Sequence, residues 1–432
     1  MEFVLPAPTG PHPVGVTDAH LTDAGRPDPW LPELARELMV SVWYPASDVT
    51  GRPRAPWLPG GAAGLFDALV AAGGFPAGVV DWTSPTAGHL GAPALPAPAP
   101  NAAYADRSER STAGPGTAGL GDAAGPVVLF SPGLGMARGT TTALVSDLAS
   151  HGYTVVTVDH PGEGSPVAFP DGRVRTDGAL TDEVAGDQDL MAGYIGRALD
   201  ARVADLSFVL DSLPALTGRG TASGAGGSGI GVFGHSLGGT AACEAMALDA
   251  RFAAGANLDG PLGASPSNPM PAGNVARHGH DRPFLLLGAA RSRPDGAGGH
   301  RARSHAPDGD PGWADFWARH RGWKRDLTLS GGTHHGFTDF LPIYRAAEGS
   351  PGLAGPLYDR VVGTVDHGRA VAAQRACLRA FFDRFLSDGP DGSGGLAGPG
   401  RPGGPGGSGG PGGSGGPLDG PNPEWPELTP AP

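Results

Sequence analysis

The residues best placed to do chemistry are Gly234-His235-Ser236-Leu237-Gly238. An apolar run, Ile230-Gly231-Val232-Phe233, precedes them, and a helix-forming stretch over about 240–248 follows. A serine on a tight turn between a buried strand and a helix projects its hydroxyl above the carboxyl end of a sheet. Gly234 and Gly238 remove Cβ atoms where strand and helix nearly collide. A hydroxyl held there becomes a nucleophile once a neighbouring base takes its proton. The pentapeptide alone means little. Gly406-Gly407-Ser408-Gly409-Gly410 fits the same pattern, with no strand before it and no helix after it.

A serine nucleophile needs a base, and the base needs a carboxylate. Where the nucleophile stands on a strand–turn–helix elbow, the acid and then the histidine follow it along the chain. Gly331-Gly332-Thr333-His334-His335-Gly336-Phe337 comes directly after a strand candidate ending at Leu329. Either His334 or His335 can be the base, and the other lines the site. Two carboxylates are candidates. Asp259 ends the apolar strand Ala256-Asn257-Leu258 abruptly, at the edge of a sheet where catalytic groups gather. Asp295 sits in a Gly/Arg-rich loop poorly suited to orienting an imidazole, so Asp259 is the better placed. Asp159 precedes the serine and reads as structural, and His235 reads as part of the elbow.

The third requirement is a pair of N–H groups facing the oxyanion that forms when an acyl carbonyl is attacked. Leu237 supplies one at the start of the helix. Leu134 supplies the other, in the glycine-rich turn Ser131-Pro132-Gly133-Leu134-Gly135.

Positioning these groups takes a framework, and its elements are legible. Strands are expected at 38–44, 127–130, 153–158, 230–233, 256–258, 283–287 and 326–329. Helices are expected at about 140–150, 191–213, 240–248 and 370–386, the second with Ile195, Leu199, Val203, Leu206 and Leu210 at helical spacing. Buried runs alternating with helices give an α/β fold, with a mostly parallel central sheet covered by helices on both faces. Residues 1–386 form one catalytic domain, with 59–126 as a cap-like or connector insertion. Within and just before that insertion, Trp57, Leu58, Leu65, Phe66, Leu69 and Phe75 either wall the site with apolar surface or pack as ordinary core. Residues 216–229 and 291–308 read as a surface loop and a mobile loop. Residues 387–432, rich in Gly, Pro and Ser, read as a disordered tail.

Composition narrows the function classes. The chain has 432 residues, of which 75 are Gly and 46 Pro, and its net charge is −13. That balance argues against nucleic acid and against tight electrostatic binding to anionic lipid. Cys243 and Cys377 sit in apolar, helix-like contexts and read as two buried free thiols. The start, Met1-Glu2-Phe3-Val4-Leu5-Pro6, has neither a basic region nor a long apolar region, and no stretch approaches about 20 apolar residues. The expectation is a cytoplasmic chain without a transmembrane segment.

Further motifs carry a resemblance. They are Gly10-Pro11-His12-Pro13-Val14-Gly15, Val42-Trp43-Tyr44-Pro45-Ala46, Phe130-Ser131-Pro132-Gly133-Leu134-Gly135 and Asp147-Leu148-Ala149-Ser150-His151-Gly152-Tyr153. The run Arg202 to Asp211, the elbow through Gly239, Leu258-Asp259-Gly260, and His334-His335-Gly336-Phe337-Thr338-Asp339-Phe340 complete the set. With these the sequence, from about Gly10 to Leu386, resembles the α/β-hydrolase superfamily. Within it the likeness is to the platelet-activating-factor acetylhydrolases (the plasma and intracellular type II kind) and their bacterial relatives. The resemblance implies an α/β-hydrolase fold with Ser236 as nucleophile, Asp259 as acid, His334 as base, and Leu134 and Leu237 as oxyanion donors. It implies a small-molecule ester or lipid substrate, transient contact with a lipid interface, and no metal or organic cofactor. An apolar wall would favour a short-acyl or lipid-like ester over a charged one. The same triad also serves lactone, dienelactone and polyester hydrolysis, and a degenerate relative that only binds ligand is the reading outside catalysis.

Overall fold

A computed structural model describes residues 1–95, 125–178, 184, 186–217, 229–263, 273–294, 299–353, 355–386 and 416–431. In chain order it opens with a long antiparallel pair, β1 (Val14–Pro27) and β2 (Ala35–Pro45). β3 (Arg54–Pro56), α1 (Gly60–Ala72) and β4 (Pro85–Leu90) follow. The centre is built from β5 (Val127–Ser131), α2 (Thr142–Ser150), β6 (Thr154–Val158), a small hairpin of β7 (Val167–Ala168) and β8 (Val174–Arg175), and α3 (Gln188–Thr217). Next come β9 (Ile230–His235), α4 (Leu237–Leu248), β10 (Phe252–Leu258), α5 (Asn274–His278) and β11 (Phe284–Arg291). A second small hairpin, β12 (Arg293–Pro294) with β13 (His300–Arg301), leads to α6 (Pro311–Arg319) and β14 (Lys324–Thr333). A 3-10 turn at His334–Phe337 precedes α7 (Phe340–Ala346), α8 (Pro356–Val362), α9 (His367–Leu386) and a last strand, β15 (Leu428–Pro430).

One sheet carries the site. Its order is β15-β14-β11-β10-β9-β5-β6-β2-β1-β4-β3. From β6 to β14 all neighbours run parallel. These central strands are short, nearly continuous apolar runs because both faces are covered. Alternation along β5 divides the core. Val128 and Phe130 pack with Leu144 and Leu148 of α2 and Leu378 and Phe381 of α9. Val127 and Leu129 pack on the other face with Leu206 and Leu210 of α3 and Met246 of α4. The expected α/β architecture is thus present, and Cys243 and Cys377 are free and buried in it. Among the described residues no helix is long and apolar enough to cross a membrane.

Three expectations about the periphery change. Residues 416–431 are packed against the domain. Within them β15 pairs antiparallel with β14, and Leu418 and Leu428 are buried. The few apolar residues at the far end of a Gly/Pro-rich stretch suffice because they close the open edge of the sheet. Part of the 59–126 insertion belongs to the sheet as well, since β4 lies parallel to β1. The loop 291–308 is ordered where it is described, with Arg303 and Ser304 buried, because Asp310 neutralises the Arg303 guanidinium. Residues 96–124, 218–228, Asp295 and 387–415 of the expected tail, with Gly406–Gly410, lie outside the described residues.

Candidate active site

Ser236 joins β9 to α4 and takes φ 54° and ψ −126°. A side chain at positive φ is strained, so the position is fixed by its surroundings. The Ser236 N–H donates to the Leu258 carbonyl (2.9 Å), and the Ser236 carbonyl accepts from Gly239 (2.9 Å). Glycine is needed at the crossing: a Cβ on Gly238 would lie 2.0 Å from the Ser131 carbonyl oxygen.

Asp259, the only other non-glycine residue at positive φ among those described (53°), stands just past the end of β10. A closed turn aims it. Asn257 bonds both the N–H and the carbonyl of Gly260, at 2.6 and 2.9 Å, and Trp313 donates to that carbonyl at 2.8 Å. The Asp259 carboxylate is fully buried, yet it accepts three hydrogen bonds. They come from the Ala289 N–H (2.8 Å), the Ser292 hydroxyl (2.7 Å) and His334 Nδ1 (2.5 Å). Burial works to raise its pKa. Arg303, whose Nε lies 3.5 Å from Oδ1, together with His334 and Ala289, outweighs burial and holds the carboxyl below its usual range.

His334 lies on the turn after β14, with Nε2 3.0 Å from Ser236 Oγ. Since the carboxylate can only accept, Nδ1 carries the proton and Nε2 is free to accept from the serine hydroxyl. The structure therefore brings Ser236, His334 and Asp259 into one hydrogen-bonded chain. His335 takes no part in it, although it lines the adjacent cavity. Burial, His334 and Arg360 push the His335 pKa down to about 3. His235 does more than shape the elbow. Its Nε2–H donates to the His334 carbonyl at 2.8 Å, and burial keeps its imidazole neutral.

Of the two expected oxyanion donors, Leu237 follows the serine directly, and the turn that holds Leu134 comes close to it: a Cβ on Gly133 would lie 3.4 Å from Ser236 Cβ. Leu237 is the first residue of α4, where a backbone N–H has no partner within the helix. Leu134 lies in the turn after β5, and Arg202 of α3 holds that turn. The buried Arg202 guanidinium donates to the carbonyls of Pro132 and Gly133 and to Ser131 Oγ, and it pairs with Glu163. Sequence reasoning missed Arg202, Ser292 and Arg303 as supports of the site. For Arg202 the available signal was a charged residue between Ala201 and Val203, whereas Ser292 and Arg303 stand among Arg, Gly and His residues and gave none.

The apolar wall is not found. Trp57, Leu58, Phe66 and Phe75 are core residues, while Leu65 and Leu69 are exposed. The rings of Trp57, Phe66 and Phe75 pack around Trp82 in tilted and edge-to-face contacts. The Trp57 indole N–H is satisfied at 2.8 Å by Asp339, which removes any reason for it to face solvent. What opens beside His334 is a cavity of about 540 Å³ lined by His335, Arg291, Arg293, Arg303 and Arg360 among others. A depression of about 700 Å³ between Arg26 and α3 shares no lining residue with it.

The profile of the alpha/beta hydrolase family matches residues 127–400. A probable 1-alkyl-2-acetylglycerophosphocholine esterase of Arthroderma benhamiae is 29% identical over 390 residues, 88% of this chain and 87% of that one. The solved structure of a ferulic acid esterase from Streptomyces cinnamoneus is 33% identical, with a TM-score of 0.66 and 100% of both chains covered. With more than half of its length matched, the chain belongs to the alpha/beta hydrolase family.

Proposed function

We propose that this chain is a serine carboxylic-ester hydrolase working through an acyl-enzyme. Ser236 is the nucleophile, His334 the general base and acid, and Asp259 the carboxylate that orients the imidazole. One observation carries the reading: an unbroken relay with Asp259 Oδ2 2.5 Å from His334 Nδ1 and His334 Nε2 3.0 Å from Ser236 Oγ. His334 Nε2 takes the Ser236 proton as Oγ attacks the ester carbonyl carbon. The N–H groups of Leu134 and Leu237 receive the oxyanion. The carbon–oxygen bond to the alcohol then breaks, and Nε2 returns the proton to the departing oxygen. Water repeats the sequence on the acyl-enzyme and releases the acid. Asp259, kept ionised by Arg303 and its hydrogen bonds, stabilises the imidazolium formed in each half.

Within esters, the fungal relative named for 1-alkyl-2-acetylglycerophosphocholine supports a short-acyl phospholipid, in keeping with an acetylhydrolase-like enzyme. The likeness to a ferulic acid esterase supports a second reading, an ester of a hydroxycinnamic acid. The test is labelling by a fluorophosphonate probe, followed by hydrolysis of short-chain sn-2 phospholipids, p-nitrophenyl esters of increasing acyl length, and methyl ferulate. Labelling and turnover are expected in the wild type and not in Ser236→Ala. Labelling that persists in Ser236→Ala sinks the assignment.

A further inference from the structure

We propose that the cavity beside His334 receives the alcohol half of the ester, and that Arg291 and Arg360 make it select an alcohol bearing net negative charge, as phosphate or carboxylate. This inference rests on the ester-hydrolase reading and specifies its substrate. The imidazole nitrogen that takes the serine proton also protonates the leaving oxygen, so the alcohol departs on the histidine side. A cavity of about 540 Å³ adjoins that histidine, with His334, His335, Arg291 and Arg360 in its wall.

The charges of this wall are unevenly satisfied. Arg293 and Arg303 both reach Asp310 Oδ2 at 3.1 Å, and Arg303 also faces Asp259. Those two guanidinium groups are committed to the framework. Arg291, the last residue of β11, has a buried Nε with no hydrogen-bond partner. Among the described residues, neither Arg291 nor Arg360 has a carboxylate at ion-pair distance. Asp359, exposed on α8, is among the described residues the one carboxylate that lines the cavity alongside them. For Arg291, which is half-buried, an unpaired guanidinium is costly unless a ligand completes it, while Arg360 is exposed; in both, a planar fork of N–H donors fits phosphate or carboxylate. The chain as a whole runs the other way, with a net charge of −13. Recognition of a quaternary ammonium uses a cage of aromatic rings, and among the described residues no Phe, Tyr or Trp lines this cavity. A cationic alcohol is therefore disfavoured, and a headgroup of net negative charge is preferred over a zwitterionic one.

The test is a charge series on one acyl group with the full chain. The substrates are 2-acetoxyethyl phosphate, 3-acetoxypropanoate, neutral 2-methoxyethyl acetate and cationic acetylcholine, each rate normalised to hydroxide hydrolysis. At least one anionic ester is expected to exceed the neutral one in kcat/KM on the order of 10-fold or more, the scale of one charge-assisted hydrogen bond. Acetylcholine should fall below the neutral ester. Which anion wins separates phosphate from carboxylate. In Arg291→Gln/Arg360→Gln the anionic-to-neutral ratio should fall to about 1. In the wild type alone, raising NaCl from about 0.02 to 0.5 M should shrink that ratio, so the inference stays testable if the variant does not fold. Ser236-dependent hydrolysis of the neutral ester with no anionic preference overturns the inference and leaves the esterase reading standing. Absence of Ser236-dependent hydrolysis across the whole series overturns both.

Discussion

The guanidinium of Arg202 donates to the carbonyl of Gly133 at 3.0 Å. Because a peptide unit is planar and trans, fixing that carbonyl also fixes the N–H of Leu134 on its opposite side. Arg202 thus holds in place the N–H proposed as an oxyanion donor, without touching it.

Replacing Arg202 tests this. Arg202→Gln leaves Glu163 buried and unpaired, which would destabilise by about 3–5 kcal/mol and confuse the result. Arg202→Lys keeps the charge but cannot serve three oxygen acceptors and Glu163 together. Loss of a whole oxyanion donor slows acyl transfer by about 10²–10³, so a tilted one should lower kcat by roughly 10- to 100-fold. KM should change little, because the donor acts on the transition state. An unchanged kcat in a folded Arg202→Lys protein removes the positioning role.

The relay predicts a hierarchy among the site's neighbours. Asp259→Asn places an amide where His334 Nδ1 needs an acceptor, and a loss of about 10⁴ in kcat is expected. His334→Ala should cost at least as much. His335→Gln should cost under about 10-fold, because His335 lies outside the hydrogen-bonded chain. Steady-state kinetics on p-nitrophenyl acetate rank the three. A His335 variant as poor as His334→Ala would reassign the base.

The elbow, both strands that end at the site, and the order of serine, acid and histidine were readable for one physical reason. Strands buried on both faces are continuous apolar runs, so their abrupt polar ends stand out, as Asp259 does after Leu258. The long β1 was not readable. Beyond Val16 its side chains alternate towards solvent, and its polar residues give no apolar run. Arg202 and Gly133 are 69 residues apart, and Trp57 and Asp339 are 282 apart. Contacts of that span are set by topology, which local spacing does not encode. The Trp57 cluster shows the same limit: aromatic composition suits a substrate wall or a core equally, and only the burial decides.

Acid sensitivity should come from buried histidines. His280 and His320 stack edge to face at 4.5 Å between Phe284 and Phe316. Burial drives their pKa values from 6.5 down to about 3 and about 4, with the His320 charge adding to the effect on His280. The unfolded chain therefore binds protons that the folded chain refuses. Stability is lost as pH falls from about 6.5 towards 4, by up to about 1.4 kcal/mol per pH unit for each histidine. His160, His235 and His335 act in the same direction. Asp339, raised to about 6 chiefly by burial, opposes them. Urea midpoints at pH 7 and pH 5 should differ less in His280→Leu/His320→Leu than in the wild type. An equal difference in both proteins rules the pair out as a source of the sensitivity.

The end of the chain should stabilise the strand that carries His334. β15 adds to β14 in the register Leu327 to Pro430, Thr328 to Thr429 and Leu329 to Leu428. Glu427 pairs with Arg369 of α9 through two bonds of 2.8 and 2.9 Å, and that guanidinium lies over the Trp425 ring. Leu428 is buried, so Leu428→Ala should destabilise by about 2 kcal/mol, the low end for a leucine at a sheet edge. Removing residues 416–432 should destabilise more, because it also exposes the N–H and carbonyl groups of β14. An uncovered edge invites pairing with another copy, so the truncated protein should associate as its concentration rises. Denaturant midpoints and sedimentation velocity across a dilution series measure both effects. A truncated chain as stable and as dispersed as the full one would mean that β15 is an ornament of the edge and not its cover.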